Sequence, residues 1–414
     1  MRIGICGAGS FANHFIPLWQ AHPLVSEVRL AEKLPERREA AIAKHGLTTT
    51  YESFEDLLAS DVDAVGIFTQ RWSHAPLAIK AMRAGKHVYS AVPAGITLEE
   101  MQELIDTVKE TGQIYMLGET HYYAPETILC RKLHREGAFG RFVYGQSGYL
   151  HDMEHGFYPP YKNANGDGWE QFASFPPMLY PTHSVGQILG VTGSRMTKVS
   201  CLGQTDDHED GIFKRELSYF DNAFSNETGL FRSADGGVCR ANEFRRVTGR
   251  DSLAIYGTAA AFYEGTWHRH DRTSTDLSEL LTCAPKKKPD DWEAQQREGA
   301  QDDFFADTSA IHDTERLPES FDGLPNGHHG SHQFLADDFA NALHRGHTPV
   351  LNVWTAARFC APGIVAHESA QRDGESMSVP DFGDPPADLT IMDLEKECGK
   401  APPACCLPQA AAAV

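Results

Sequence analysis

Basic residues are scarce: 37 Lys and Arg stand against 57 Asp and Glu, a formal charge of -20 over 414 residues. A nucleic acid or an anionic membrane surface needs a basic face, so neither is expected as a partner. Apolar runs of membrane-spanning length are also missing, and the chain enters a strand at Arg2 without the charged and apolar lead of an export signal. A cytoplasmic location is expected. The nine cysteines are scattered without CxxC spacing, which gives neither a zinc framework nor a disulfide framework. There is no internal repeat. One further absence is local: HVYSAVPAGIT, His87 to Thr97, has the form of a buried strand leading into a proline turn, where an α/β sheet presents its chemistry, yet Ala91, Val92 and Pro93 carry no ionisable group.

What is present begins with RIGICGAGSFANHF, an apolar strand running directly into GxGxxA. Gly7 permits the tight turn, Gly9 lets a pyrophosphate approach the backbone, and Ala12 lets the following helix lie close to the strand. Ser10 and Phe11 complete a turn whose helix N-terminus offers N–H groups to phosphate. A second strand, VRLAE, ends at Glu32, about twenty residues beyond the glycines, where the ribose hydroxyls are read. An acid there repels a 2'-phosphate, so NAD is expected in preference to NADP, although Lys33 softens the preference.

Alternation continues. Val62 to Thr69 is a near-continuous apolar run suited to a strand covered on both faces, and helices are expected over Ala75 to Ala84 and Leu98 to Thr111. Strands at Lys86 to Ser90 and Ile114 to Leu117 complete a doubly wound parallel sheet, a Rossmann α/β domain over residues 1–120. Ligands then lie at the carboxyl ends of the strands: Gly7 to Ala12, Thr69 to His74, Ala91 to Pro93 and Glu119 to Tyr123. Beyond lie longer β-rich segments, Phe142 to Leu150, Thr197 to Gly203 and Gly237 to Phe244, and late amphipathic helices at Gln333 to Arg345 and Val353 to Gln371. Residues 121–398 are expected to form an α+β domain with an open, mostly antiparallel sheet that binds substrate. Cys283 to Asp322 is expected to be a surface excursion, and 399–414 a disordered tail.

The stretches GICGAGSFA, VGIFTQRWSHAPLAIKAMRAGKHVYSAVPAG, REGAFGRFV and DDFANALHRGHTPVLNVWTAARF together resemble the glucose-fructose oxidoreductase/inositol dehydrogenase (Gfo/Idh/MocA) family. The resemblance implies tightly held NAD(P), a sugar or polyol substrate, and a C-terminal sheet that pairs copies into a homodimer or homotetramer. It also exposes two departures. The family's turn has a lysine where this chain has Val92, and its aspartate four residues before the substrate-domain histidine is Leu179 here, while His183 remains. A similar pattern occurs in the family's NAD-dependent glycosidase branch, with a lysine-free turn ending Val-Pro and a Tyr-Pro-Thr-His stretch like Tyr180 to His183. In that branch a ring hydroxyl is oxidised, the neighbouring C–H is lost to a base, the glycosidic group is eliminated, water adds and the hydride returns. Such a cycle needs a base and a hydride acceptor and no paired carboxylates.

His183 is the first candidate for acid–base work, because an imidazole exchanges protons in both directions near neutrality. Tyr122, Tyr123 and His121 follow the last Rossmann strand and are further catalytic candidates, the alternative for the tyrosines being that one is core and the other stacks on the sugar. Thr69, His74, Ala91, Pro93 and Glu119 are assigned to the cofactor by their places at strand ends. Tyr180, Trp169, His151 and His329 are candidates to line a sugar pocket. HDMEH and GHHGSH invite a metal reading, but two ligands without a third make a weak set, and no metal is expected. Three activities stay open: redox-neutral glycoside cleavage, which is favoured, a net sugar or polyol dehydrogenase, and a non-catalytic protein that binds NAD and sugar.

Overall fold

The computed structural model describes residues 1–249, 253–283, 307–324, 326–392 and 400–407. Six parallel strands form the first sheet, in the order β3-β2-β1-β4-β5-β6. They are β1 (Arg2–Cys6), β2 (Glu27–Ala31), β3 (Thr50–Tyr51), β4 (Ala64–Ile67), β5 (His87–Ser90) and β6 (Tyr115–Leu117). Ile3, Ile5, Ala64, Val65, Ile67 and Val88 are fully buried, as the apolar runs require when helices cover both faces. Each large aliphatic side chain among them contributes roughly 1.5–3 kcal/mol to folding.

The connections place the strand ends. Gly7, in the turn after β1, has φ +93°, and a Cβ there would stand 2.9 Å from the Phe68 carbonyl oxygen. The turn between β5 and helix Leu98–Thr111 is held by a capping box: Thr97 accepts from the Glu100 N–H, and Glu100 accepts from the backbone N–H groups of Ile96 and Thr97. That box fixes the exit of the chain from Ala91 to Gly95, whose Val92-Pro93 bond is cis.

The second sheet has nine strands in the order β14-β13-β12-β11-β7-β10-β9-β8-β15. They are β7 (Phe142–Leu150), β8 (Met196–Thr205), β9 (Phe224–Ser233), β10 (Val238–Phe244), β11 (Ala254–Gly257), β12 (Ala260–Tyr263), β13 (Thr266–Arg269), β14 (Ser274–Asp276) and β15 (Met377–Ser378). Only β7 and β10 run parallel; the other neighbours are antiparallel. Helices Val185–Thr192 and Val353–Gln371 pack on one face. On its strands Val143, Leu202, Leu230 and Val238 stay exposed.

The late helices return to the first sheet. In helix His332–Arg345 the Ala336 carbonyl accepts from the Trp19 indole N–H at 3.3 Å, and Asp337 lies 3.1 Å from the His22 ring. Leu117 donates from its backbone N–H to the Leu351 carbonyl at 2.7 Å.

Two expectations are corrected. Part of the supposed surface excursion is core: Ile311 and Phe321 are buried, and His312 bonds the Tyr123 carbonyl at 2.9 Å. The charged run before it, 284–306, lies outside the described residues. Nor is the tail wholly without structure, since Cys406 is buried and Lys400 donates from its N–H to Ile311 at 2.7 Å. Apolar Cys406 and Leu407 find the main core, which a compositional reading of the tail overlooked; 408–414 lie outside the described residues.

Candidate active site

Four loops meet at the carboxyl edge of the first sheet. Glu32 closes the glycine turn from the side: one carboxylate oxygen accepts from the Ala8 N–H at 2.8 Å and the other from the Leu34 N–H at 2.9 Å. At Gly9 a Cβ would meet nothing within 4 Å, so the backbone is open to an approaching group. Ala12 is fully buried under the sheet, while Ser10 is exposed and Phe11 half-buried at the mouth. An open glycine turn, a helix beginning at Ala12 and an acid at the end of β2 fit a dinucleotide. Thr69 bonds Ser73 at 2.7 Å. His74 lies between two of the loops, with Nδ1 2.8 Å from the Pro93 carbonyl and Nε2 3.1 Å from the Thr69 carbonyl, and burial lowers its pKa.

Glu119 follows β6 and is fully buried. Its Oε1 accepts from the His121 N–H at 2.8 Å and lies 2.7 Å from His183 Nδ1. Burial alone would raise the Glu119 carboxyl, but the adjacent His183 and His121 hold it well below the usual carboxylate range. An ionised carboxylate can only accept, so Nδ1 of His183 carries the proton and Nε2 is the basic atom. Nε2 makes no hydrogen bond among the described residues. Burial, with the neighbouring His183, lowers His121 to about 4, so it is neutral near pH 7. Its ring lies 4.3 Å from that of His183 and 6.3 Å from that of His329. The ligand atoms of Glu119, His121 and His183 lie within 4.8 Å of one another, a metal-like grouping built from neither of the histidine motifs. Of those motifs, His151 stacks flat on Phe157 with centroids 3.8 Å apart, and His328 Nδ1 lies 2.9 Å from His332 Nε2.

The sugar-facing candidates divide. Tyr180 stands with its ring 5.1 Å from His183, and His151 is within 5.5 Å of Tyr149. Trp169 packs one layer away, on Tyr158 and the Lys162 ammonium. Tyr122 and Tyr123 are corrected as catalytic candidates. The short helix Thr120–Tyr123 turns both inward: Tyr122 lies under the Arg131 guanidinium at 3.9 Å, and Tyr123 donates its hydroxyl to Asp338 and stacks on Phe334.

Three residues not singled out from the sequence border these side chains. Tyr149, near the end of β7, has its ring 4.8 Å from His183 and 5.6 Å from Tyr180, beneath the Arg245 guanidinium at 5.0 Å. Arg71 and Trp72 reach from the β4 loop into the second domain, where Trp72 stacks on Phe172 at 5.1 Å. Alternation along β7 could have flagged Tyr149 as inward-facing, and Arg71 and Trp72 lie within Thr69 to His74, a strand end where a ligand is expected.

Residues 1–119 match the family described as "Oxidoreductase family, NAD-binding Rossmann fold" (Gfo/Idh/MocA). The match lies in the N-terminal domain. Among curated proteins, it is 25% identical over 409 residues to a glycosyl hydrolase family 109 protein of Saccharopolyspora erythraea, covering 92% of this chain and 83% of the relative. A Shewanella glycosyl hydrolase family 109 protein is 32% identical over 208 residues, 45% of this chain and 43% of its own length. Among solved structures, a levoglucosan dehydrogenase complexed with NADH and L-sorbose superposes with TM-score 0.67 at 20% identity, covering 92% of this chain and 99% of that one. Myo-inositol 2-dehydrogenase from Lactobacillus plantarum superposes with TM-score 0.65 at 16% identity, covering 92% and 99%. These likenesses establish a Rossmann domain followed by a mostly antiparallel open sheet, and an NAD-binding N-terminal domain.

Proposed function

We propose that the protein is an NAD-dependent carbohydrate enzyme that starts its chemistry at a sugar ring carbon, with His183 exchanging the proton and Glu119 orienting it. The observation that carries this reading is the 2.7 Å contact between Glu119 Oε1 and His183 Nδ1 at the edge of the cofactor sheet. It leaves Nε2 as a base among Tyr149 and Tyr180, where a planar sugar face can stack. Gly7 to Ala12 and Glu32 would hold the dinucleotide, which when bound supplies the hydride acceptor. Ala91, Val92 and Pro93 are buried and uncharged and so exclude water from that region without taking a proton.

Redox-neutral glycoside cleavage is the favoured form. The curated relatives are named as glycosyl hydrolase family 109 proteins, and the site offers a base without the lysine of the net dehydrogenases. Purified protein incubated with aryl glycosides in deuterated water should release aglycone and place deuterium at C2, with no accumulation of NADH. Build-up of NADH on free sugars without aglycone release would instead make it a net dehydrogenase. NAD binding with no turnover on either panel would make it a sensor or binding protein.

A homo-oligomer, dimer or tetramer, belongs to the same reading. The exposed row of Val143, Leu202, Leu230 and Val238 on the second sheet is a surface that a second copy can cover. Light scattering after size exclusion should give a multiple of the 45.7 kDa chain, and Leu230→Glu should lower it; a monomer in both would remove this assignment.

A further inference from the structure

Arg71 is a cation enclosed by aromatic rings and without an acid. Its guanidinium carbon lies 4.8 Å from the Tyr180 ring centroid, 5.2 Å from Phe175, 5.3 Å from Phe157 and 5.5 Å from Tyr161. It donates one hydrogen bond to the Tyr161 hydroxyl. No carboxylate pairs with it among the described residues. Among the described residues Arg245 pairs with Glu243 at 3.1 Å, Arg246 with Asp210 at 2.5 Å and Arg316 with Asp337 at 2.8 Å, while buried Arg131 donates to the Tyr122 and Gly190 carbonyls at 3.0 and 3.3 Å. In a chain carrying -20, packing a guanidinium against aromatic rings without a carboxylate is costly unless an anion arrives.

The place of Arg71 says where that anion comes from. Tyr180 touches both the guanidinium and the His183 ring, at 4.8 Å and 5.1 Å, so Arg71 stands one ring from the proposed base. One N–H of Arg71 goes to the Tyr161 hydroxyl, and a planar fork of donors suits a carboxylate as the partner of the others. The glycine turn, with its own helix N-terminus, already provides for the pyrophosphate.

We infer that Arg71 is a specificity residue that binds a carboxylate on the substrate, so that the sugar taken at His183 is an acidic one of the uronic acid class. The inference rests on the proposed carbohydrate site, and its test reads binding and not turnover, so each can fail alone. NAD-saturated protein is titrated calorimetrically with D-glucuronate and D-galacturonate, with glucose and galactose, and with the 4-nitrophenyl glycosides of all four.

The wild type should bind at least one acid about tenfold or more tighter than its neutral counterpart, the range of one charge-assisted hydrogen bond. Arg71→Met should lose that preference while NAD affinity stays unchanged. Arg71→Lys, which keeps the charge but not the fork, should retain part of it. Melting curves of both variants report folding, and the wild-type preference is measured whether or not Arg71→Met folds. Equal binding of acid and neutral sugar by the wild type would overturn the inference. So would an Arg71→Met that weakens NAD and ADP-ribose instead of the uronate, since the guanidinium would then serve the pyrophosphate. If the acid preference holds with no turnover on any glycoside, the anion site stands and the catalytic reading falls; turnover of neutral glycosides without acid preference gives the reverse.

Discussion

His183 depends on a carboxylate 64 residues away in the chain. Glu119→Gln keeps the size of that partner and removes the charge that fixes the Nδ1–H tautomer. Steady-state kinetics on the first glycoside found to turn over should show kcat down about 10²-fold with NAD affinity unchanged; an unaltered kcat would mean that Glu119 does not position the base. Tyr149 and Tyr123 separate a site role from a core role. Tyr149→Phe keeps the ring near His183 and removes its hydroxyl, so activity should fall while the melting temperature barely moves. Tyr123→Phe removes the hydroxyl bonded to buried Asp338 and should cost about 1–3 kcal/mol of stability, with kcat per folded molecule preserved. Denaturant titrations run beside kinetics decide both, and the opposite pairing would exchange the two assignments.

At the level of elements, the cofactor turn and the Pro93 turn are each held by a local device. A methyl group at Gly7 would meet the Phe68 carbonyl at 2.9 Å in a backbone with φ +93°. Gly7→Ala should therefore destabilise the protein by about 1–3 kcal/mol and weaken NAD binding, because the strand and turn must shift apart. Titration of NAD against the variant checks this, and unchanged affinity would show that the turn does not approach the cofactor. Thr97→Ala removes one half of the capping box at helix Leu98–Thr111 and should cost about 1 kcal/mol. Helix His332–Arg345 lies beyond any such local rule. It is amphipathic in the sequence, but its partner, the helix Ala12–Ala21 beside the glycine turn, becomes known only when Trp19 reaches Ala336.

For the molecule as a whole, acid is the sensitive variable. Burial lowers His14, His121 and His312 from 6.5 to about 4. Between those values the unfolded chain takes up protons at these positions and the folded one does not, so stability falls as pH drops from about 6.5 towards about 4 and is flat above. Glu119, whose folded pKa is lowered, adds a loss in the same direction below its ordinary range. Thermal melts should show little change between pH 8 and 7 and a steady decline from about 6.5 downward; a melting temperature constant across that range would remove the buried neutral histidines as the cause. What the sequence determined by itself was the periodic part: strands, turns and helices of the first domain, the glycine turn and the place of Glu32 at the end of the second strand. Those features follow from neighbours in the chain, through apolar alternation, glycine conformations and spacing. Tertiary structure alone decided that Glu119 meets His183, that Tyr122 and Tyr123 turn into the core while Tyr149 packs beside His183, that residues 307–322 are partly core, and that Arg71 lies among four aromatic rings with no carboxylate partner among the described residues. Each is a contact between segments far apart in the chain, set by which faces pack together, and no local pattern encodes that choice.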